Sequence, residues 1–211
     1  GVFYVPDMTA VTLSKVAKDV GVEELCATAV MSIPGEEAPD LHSLVMDRSH
    51  IVSENINVKG TRGAHAGNRG IAIDYCAEDP SQVVIAQFKG DDPNSASTKS
   101  VLHYSSEYGK NGTFTQINWD ETNRIIHMAL SPKKLANGYP RIVVCAYGKP
   151  KGEGSGIWFS ANLGETWVKG GNIIASKEGW DYTGMPLAVD KVTNDACYYI
   201  GGQNLYRSMD G

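Results

Sequence analysis

Short apolar runs separated by polar turns occupy most of the chain. Runs such as VVIAQF (83–88) and IVVCAY (142–147) have the length of strands and are flanked by segments rich in Gly, Pro, Asn or Asp. Only residues 13–21, LSKVAKDVG, show a brief helical period, and we expect a loop or a single turn there. Many short strands joined by turn residues indicate an all-β fold.

A turn pattern follows one of these runs in residues 156–170, GIWFSANLGETWVKG. The short polar side chains of Ser160 and Asn162 can bond backbone groups of a tight turn. Gly164 supplies the positive φ that such a hairpin needs, and Trp167 can pack beneath it. The spacing Ser-x-Asn-x-Gly-x-Thr-Trp resembles the Asp-box (BNR) turn on the outer hairpin of β-propeller blades.

The turn pattern recurs along the chain. Positions equivalent to Ser160 are occupied by Val5, Ser105 and Ser208. The copy that starts near Ser105 is approximate, has extra residues inserted and continues with Glu107, Gly109 and Phe114. The final copy consists of Ser208, Asp210 and Gly211. The repeat is about 50 residues long, which is typical of a four-stranded propeller blade.

The copies divide the chain into four approximate units, 1–50, 51–118, 119–170 and 171–211. Each unit contains three or four short strands in up-and-down order. We therefore predict β-propeller blades, which are four-stranded antiparallel meanders with Asp-box hairpins, amounting to about half of a seven-bladed propeller. Because the first and last units are interrupted within a hairpin, we expect a single propeller segment that is truncated at both ends.

Charge and composition exclude some partners. The chain has 211 residues, a formal net charge of -5 and no basic stripe, so nucleic acid is not an expected ligand. Nowhere do about 18 apolar residues follow one another, so no membrane span is predicted.

The four cysteines, Cys26, Cys76, Cys145 and Cys197, lie in or at the end of strand-like runs and show no CxxC spacing. They are interpreted as buried free thiols, with disulfides as the alternative. A glycosylation sequon occurs at residues 111–113, Asn-Gly-Thr, in a segment that resembles a turn.

Three longer segments resemble glycoside hydrolase family 74. They are EELCATAVMSIPGEEAPDLHSLVMDRSHI (23–51), AIDYCAEDPSQVVIA (72–86) and YTGMPLAVDKVTNDACYYIGGQNLYRSMDG (182–211). The second segment is similar to the family's Ile-Asp-Tyr-Ala strand, and the third to its blade that ends in Ser-x-Asp-Gly. The resemblance covers residues from about 20 to 211.

The resemblance implies a xyloglucan-specific endo-hydrolase, secreted and without a cofactor. Family members have two seven-bladed propellers and bind the polysaccharide in the cleft between them. They hydrolyse it with inversion, using one Asp from each propeller. Inversion requires carboxyl groups roughly 6.5–9.5 Å apart. The segments that carry these Asp residues are not recognised in this sequence, so its catalytic residues are expected to lie elsewhere in the parent protein. Asp120 is a conceivable site carboxylate or a solvated turn residue.

Two loops supply candidate residues for binding the polysaccharide. Trp180 and Tyr182 precede the innermost strand of a blade, where an aromatic side chain is either a stacking platform for sugar or part of the local packing. Asp47, His50 and Arg62 lie in a long polar segment, which is either a ligand-contacting loop or a plain exposed loop. The partners predicted are therefore a β-glucan and the remainder of the propeller or a second propeller domain.

Other functions are alternatives to the hydrolase. A metal site formed by Asp47, His50 and His65 is not favoured by their spacing, so no metal is predicted. A non-catalytic propeller that binds glycans or proteins at a cell surface is the alternative from a different class. Sialidases and sortilin-type receptors also carry Asp boxes. The arginine trio of the sialidases and the cysteine-rich continuation of the receptors are not recognised in this sequence.

Overall fold

The computed structural model describes about two thirds of the chain. The residues that it describes are 3–4, 16–17, 27–46, 49–55, 60–63, 69–89, 99–120, 123–148, 155–170, 186–192, 196–201 and 204–209. These residues form seventeen β-strands and contain no helix. The prediction of an all-β fold is therefore confirmed for the described part of the chain.

The chain begins with a two-stranded sheet made of β1 (Phe3–Tyr4) and β2 (Val16–Ala17). The expectation of a loop or single turn over residues 13–21 is therefore wrong at Val16–Ala17. These two residues extend because their backbone pairs with β1, a partner that local periodicity does not reveal.

Four further sheets follow in chain order. Sheet I contains β3 (Ala27–Met31), β4 (Leu41–Val45), β5 (Ser49–Ser53) and β6 (Thr61–Arg62). Sheet II contains β7 (Arg69–Tyr75), β8 (Val83–Lys89), β9 (Lys99–Ser105) and β10 (Thr115–Ile117). Sheet III contains β11 (Asn123–Lys134), β12 (Pro140–Gly148), β13 (Gly156–Ser160) and β14 (Val168–Gly170). Sheet IV contains β15 (Leu187–Val189), β16 (Cys197–Gly201) and β17 (Asn204–Ser208).

Sheets I to IV share one topology. In each, every strand pairs antiparallel with its neighbours in sequence, so the spatial order equals the chain order. The first strands of sheets I, II and III each carry a register shift near their start, between Ala27 and Ala29, Gly70 and Ala72, and Ile125 and His127. This common irregularity marks the three sheets as copies of one structural repeat.

Sheet II ends at Ile117 and sheet III at Gly170. Residue 50 lies inside β5, where polar residues pair with β4. The division of the chain into the units 1–50, 51–118, 119–170 and 171–211 stays a prediction.

Three apolar clusters lie between consecutive sheets. Along β7, Ile73 packs towards sheet I, whereas its neighbour Ala72 packs towards sheet III. Along β12, Val144 packs towards sheet II and Val143 towards sheet IV. Side chains of a strand alternate between the two faces of its sheet. Sheets II and III therefore bury both faces, which explains why their second strands, β8 and β12, contain continuous apolar runs.

The Ser160 turn joins β13 to β14. Ser160 Oγ accepts hydrogen bonds from the backbone N–H groups of Asn162 (3.3 Å) and Gly164 (2.8 Å). Asn162 Oδ1 accepts one from the N–H of Thr166 (3.0 Å). Leu163 and Gly164 both have positive φ, 51° and 81°. These are the backbone contacts and the left-handed conformation that the sequence pattern suggests.

The Ser105 turn between β9 and β10 has the same core. Ser105 Oγ accepts from the N–H groups of Glu107 (3.0 Å) and Gly109 (3.2 Å), and Tyr108 and Gly109 have φ values of 57° and 67°. Thr113, within the inserted residues, adds a 2.6 Å hydrogen bond between its hydroxyl and that of Ser105. The two turns are therefore structurally equivalent despite the insertion.

Each turn places an aromatic side chain against the preceding sheet. Trp167 Nε1 donates to the carbonyl of Asn118 (2.8 Å), and the Trp167 ring meets that of Trp119 edge-on at 4.8 Å. Phe114 meets the ring of His50 edge-on at 5.5 Å. A Cβ atom at Gly164 would lie 2.2 Å from Ile117, so this position requires glycine for space as well as for its φ. The turns thus fasten one sheet to the next.

Asp74 connects three sheets. Its Oδ2 accepts from the backbone N–H of Leu130 in β11 (2.8 Å) and from Lys191 Nζ, which follows β15 (2.6 Å). Lys191 Nζ also donates to the carbonyl of Leu130 (3.0 Å). The Asp74 carboxylate is largely buried, whereas the Lys191 side chain is 43% exposed. Most of the stabilisation therefore comes from the hydrogen bond to Leu130, because solvent screens the ion pair.

We predict that Asp74→Ala destabilises the protein by about 2–4 kcal/mol, because it leaves a buried N–H without its charged acceptor. The measurement is the free energy of unfolding in denaturant. Glu165→Ala is the matched control, since it also removes one negative charge, but from an exposed turn residue. Equal losses in the two variants would contradict a structural role for Asp74.

Candidate functional site

The meander topology separates the connections of sheets I to IV into two groups. The first-to-second and third-to-fourth connections, which include the Ser105 and Ser160 turns, share one end of the sheets. The second-to-third connections and those from sheet to sheet share the other, because successive antiparallel strands reverse direction. We call these the hairpin end and the inter-sheet end.

The sequence candidates can be located along the chain relative to the described strands. The connection from β4 to β5 contains Asp47, and β6 ends at Arg62. The connection from β14 to β15 contains Trp180 and Tyr182. Asp47, Trp180, Tyr182 and the side chain of Arg62 lie outside the described residues, as do Asp210 and Gly211 of the final turn pattern. Of that pattern Ser208 is described, and it ends β17.

His50 lies in β5 and not in a polar loop. Its side chain is fully buried, and its ring stacks on that of His42 with centroids 5.2 Å apart and planes 10° apart. The ring nitrogens His42 Nδ1 and His50 Nε2 share a hydrogen bond of 3.0 Å. A Cβ at Gly63 would lie only 2.1 Å from His50 Nδ1, so glycine makes room for the ring. This position gives His50 packing contacts between the sheets, away from solvent.

Burial keeps this histidine pair neutral. Desolvation lowers the pKa of His42 to about 4, partly opposed by a hydrogen bond with the backbone of Tyr108. Desolvation also lowers the pKa of His50 well below its usual value, and the neighbouring His42 adds to the effect. One neutral ring donates to the other, which satisfies a ring nitrogen of each inside the core.

A basic and aromatic cluster lies at the inter-sheet end of sheets II and III. The guanidinium carbons of Arg69 and Arg124 lie 5.8 Å and 5.3 Å from the ring centroid of Phe88, and all three side chains are buried. Lys89 and Lys99 are paired at the adjoining end of β8 and β9. Guanidinium groups favour aromatic faces electrostatically, so the cluster holds two cations at the starts of β7 and β11.

A buried polar contact joins sheet I to the same end of sheet II. Gln87 Nε2 donates to Ser49 Oγ, and both side chains are buried. Ser49 has a positive φ of 63°, which is uncommon for a residue with a side chain. This hydrogen bond holds the first residue of β5, the strand that follows the β4–β5 connection.

Arg124 and Gln87 were not predicted from the sequence as site residues. A signal for the arginines is present, because Asn68-Arg69 and Asn123-Arg124 are the same dipeptide at the starts of equivalent first strands. Gln87 has no such signal, since it sits inside an apolar run and its partner lies 38 residues away.

Cysteines and acidic groups are further candidates for chemistry in this fold. Cys76, Cys145 and Cys197 are buried free thiols, as predicted, and Cys26 lies outside the described residues. Burial raises the pKa of Cys145 to about 12, which makes it unreactive. Hydrogen bonds from Ser81 and Gln82 lower the pKa of Asp79 in a turn of the hairpin end. Among the described residues, no group of three or more His, Cys, Asp or Glu side chains could hold a metal ion.

Asp120 is exposed and lies in the connection between β10 and β11, next to the buried Trp119. The described residues contain no helix that is long and apolar enough to cross a membrane.

Comparison with solved structures identifies the fold. The chain is similar over its whole length to a GH74 enzyme from Niastella koreensis, with 22% identity and a TM-score of 0.63, and covers 26% of that chain. It is similar over 88% of its length to the GH74 xyloglucanase from Xanthomonas campestris, with 17% identity and a TM-score of 0.61, covering 23% of that chain. It is also similar over 87% of its length to an ancestral GH74 enzyme, with 14% identity and a TM-score of 0.56, covering 23% of that chain.

These likenesses confirm the predicted fold. The four meander sheets are blades of a β-propeller, and the chain spans about a quarter of the length of the structures it matches. No protein-family model matches the sequence, and no curated protein matches it. The propeller architecture thus rests on the structural likeness and on the repeated sheets.

We predict that acid destabilises the fold through His42. The unfolded histidine has a pKa near 6.5, whereas burial lowers the folded pKa to about 4, so the unfolded state binds more protons between these values. Stability should therefore be complete above pH 6.5 and fall as the pH drops towards 4, by up to the order of 3 kcal/mol for one such group. The measurement is the free energy of unfolding as a function of pH, for the unsubstituted protein and for the His42→Gln variant. An equally steep pH dependence in the variant would contradict the assignment.

Proposed function

We propose that this chain is part of a carbohydrate-active β-propeller of the GH74 type, in a parent protein that hydrolyses xyloglucan or a related β-1,4-glucan. The observation that carries the proposal is the likeness of the entire chain to a GH74 enzyme structure, together with the sequence resemblance of residues 72–86 and 182–211 to that family.

The inter-sheet end is the proposed face for the polysaccharide. It carries the connections that contain Asp47, Trp180 and Tyr182, and β6 delivers Arg62 to it. The hairpin end is occupied by the Ser105 and Ser160 turns, which we assign as Asp boxes with a structural role. Aromatic rings can stack on the apolar faces of sugars, and polar side chains can bond their hydroxyl groups.

The buried cluster of Arg69, Phe88 and Arg124 would support this face from below. It fixes the starts of β7 and β11, from which the adjoining connections emerge. A preorganised base reduces the conformational entropy that the loops lose when a ligand binds. These residues are therefore proposed as positioning residues for the binding face.

Catalysis is assigned to carboxylates outside this chain. An inverting pair needs a water molecule between two carboxyl groups roughly 6.5–9.5 Å apart. In this proposal, the present chain contributes binding surface and the rest of the parent protein contributes the acid and the base. Secretion is part of the same proposal, since the substrate is a plant polysaccharide outside the cell.

The activity is tested on the parent protein and on this chain separately. We expect the parent to release oligosaccharides of inverted anomeric configuration from xyloglucan, and the 211-residue chain alone to release none. Oligosaccharides are measured by chromatography and the configuration by NMR. If the intact parent protein binds glucan without hydrolysing it, the result would contradict the enzyme proposal and support a non-catalytic propeller.

The binding face is tested by Trp180→Ala in the parent protein. Loss of a stacking ring should weaken xyloglucan binding about tenfold, with little change in stability. Tyr139→Ala is the control, because Tyr139 is a partly exposed aromatic residue in a first-to-second connection, at the hairpin end. Unchanged affinity on Trp180→Ala, or an equal loss in both variants, would remove Trp180 from the site.

A further inference from the structure

Two Asn-Gly dipeptides occur in the chain, Asn111-Gly112 and Asn137-Gly138. Both lie in turns, and both glycines have positive φ, 81° and 85°. A Cβ atom placed on either glycine would meet nothing within 4 Å. The two sites therefore offer the same local sequence and the same open space, and differ in their hydrogen bonds.

The Asn137 site is held by three hydrogen bonds. Asn137 Nδ2 donates to the carbonyl of Ala161 (2.7 Å), and Asn137 Oδ1 accepts from the N–H of Tyr139 (3.2 Å). The N–H of Gly138 donates to the carbonyl of Leu135 (2.9 Å). Both ends of the carboxamide and the adjacent backbone nitrogen are thus occupied.

The Asn111 site has none of these restraints. The N–H of Thr113 donates to the carbonyl of Lys110 (3.2 Å), which closes a four-residue turn with Asn111 and Gly112 at its centre. The φ of Gly112 suits the third position of a type II turn. Asn111 and Gly112 are exposed, and within the described part of the chain neither the carboxamide of Asn111 nor the N–H of Gly112 makes a hydrogen bond.

We propose that Asn111 is a site of spontaneous covalent modification, in which the backbone nitrogen of Gly112 attacks the side-chain carbonyl carbon of Asn111. The nitrogen loses its proton to hydroxide, a bond forms to Cγ, and the amide nitrogen leaves as ammonia. The product is a five-membered succinimide. Water then opens either of its carbonyl groups, which leaves aspartate or isoaspartate at this position.

Gly112 favours the step because it has no Cβ to obstruct the approach of its nitrogen. No enzyme, metal or oxidant is needed. The hydrogen bonds at Asn137 oppose the same reaction, since they must break before the carboxamide can turn towards the backbone nitrogen of Gly138. Each such hydrogen bond should slow the reaction by up to about tenfold, because it stabilises the unreacted state.

The modification acts on the Ser105 turn. Isoaspartate inserts one extra carbon into the main chain between Lys110 and Thr113, and Thr113 bonds the hydroxyl of Ser105 at 2.6 Å. Either product also places a new negative charge next to Lys110, whose Nζ pairs with Glu37 of sheet I (3.4 Å). Ageing at Asn111 would therefore weaken a turn that joins sheets I and II.

The test compares the two dipeptides in one protein. The full chain is produced in a bacterial host that adds no N-linked glycan, because residues 111–113 also form a glycosylation sequon. After incubation at mildly alkaline pH, proteolysis and mass spectrometry quantify conversion of amide to acid at each asparagine. Isoaspartate is identified by its fragmentation.

We expect conversion at Asn111 to be at least about tenfold faster than at Asn137 in the folded protein. In guanidinium chloride the two rates should become similar, since the restraints on Asn137 are then lost. The Asn111 rate should rise with pH, and Asn111→Gln should abolish the signal at that position. Equal rates at both sites in the folded protein, or faster conversion at Asn137, would overturn the proposal.

Discussion

Burial of both faces of each sheet is the constraint on which the rest of the structure depends. A single meander of three or four short strands has two faces and cannot cover either by itself. In this chain, sheets II and III solve the problem by lying between neighbours, so Ile73 and Ala72 on one strand belong to different interfaces. The aromatic residues of the hairpin turns extend each interface to its outer edge, as Trp167 does against Trp119.

The division between the two ends of the sheets follows from this packing. The hairpin turns are compact, and their backbone N–H groups bond side chains of the same turn. Ser160 Oγ and the N–H of Gly164, a residue of positive φ, are an example. At the opposite end, the sheet-to-sheet connections vary in length, from five residues between β10 and β11 to sixteen between β14 and β15. Stability and ligand binding can then be carried by different ends of one repeat, which lets the binding loops vary without loss of the fold.

The parts predictable from the sequence were those coded by neighbouring residues. The Ser160 turn is formed by contacts among residues within eight positions of one another. The apolar runs of β8 and β12 predict by their composition alone that these strands are buried. His50 could not be placed in this way. The segment around it is polar, and its burial depends on His42 and Phe114, which belong to other strands and turns. Local polarity therefore suggested a loop where non-local partners create a strand.

The candidate binding residues show the same limit. Asp47 and Trp180 lie outside the described residues, so their role in binding stays a prediction. The buried pair of Arg69 and Arg124 around Phe88 was not anticipated, because arginine next to Asn and Gly resembles a solvated loop. The two Asn-Arg dipeptides are recognised as part of the repeat only because β7 and β11 are equivalent first strands of their sheets.

The carboxylate of Asp74 has a consequence for how the molecule unfolds. In repeat architectures each unit contacts only its immediate neighbours, so units can detach one at a time. Asp74 in sheet II bonds Lys191, 117 residues later and beyond the intervening sheet III. Because solvent screens this ion pair, the buried bond from Leu130 to the same carboxylate couples the unfolding of sheets II and III more strongly than Lys191 couples that of sheet IV.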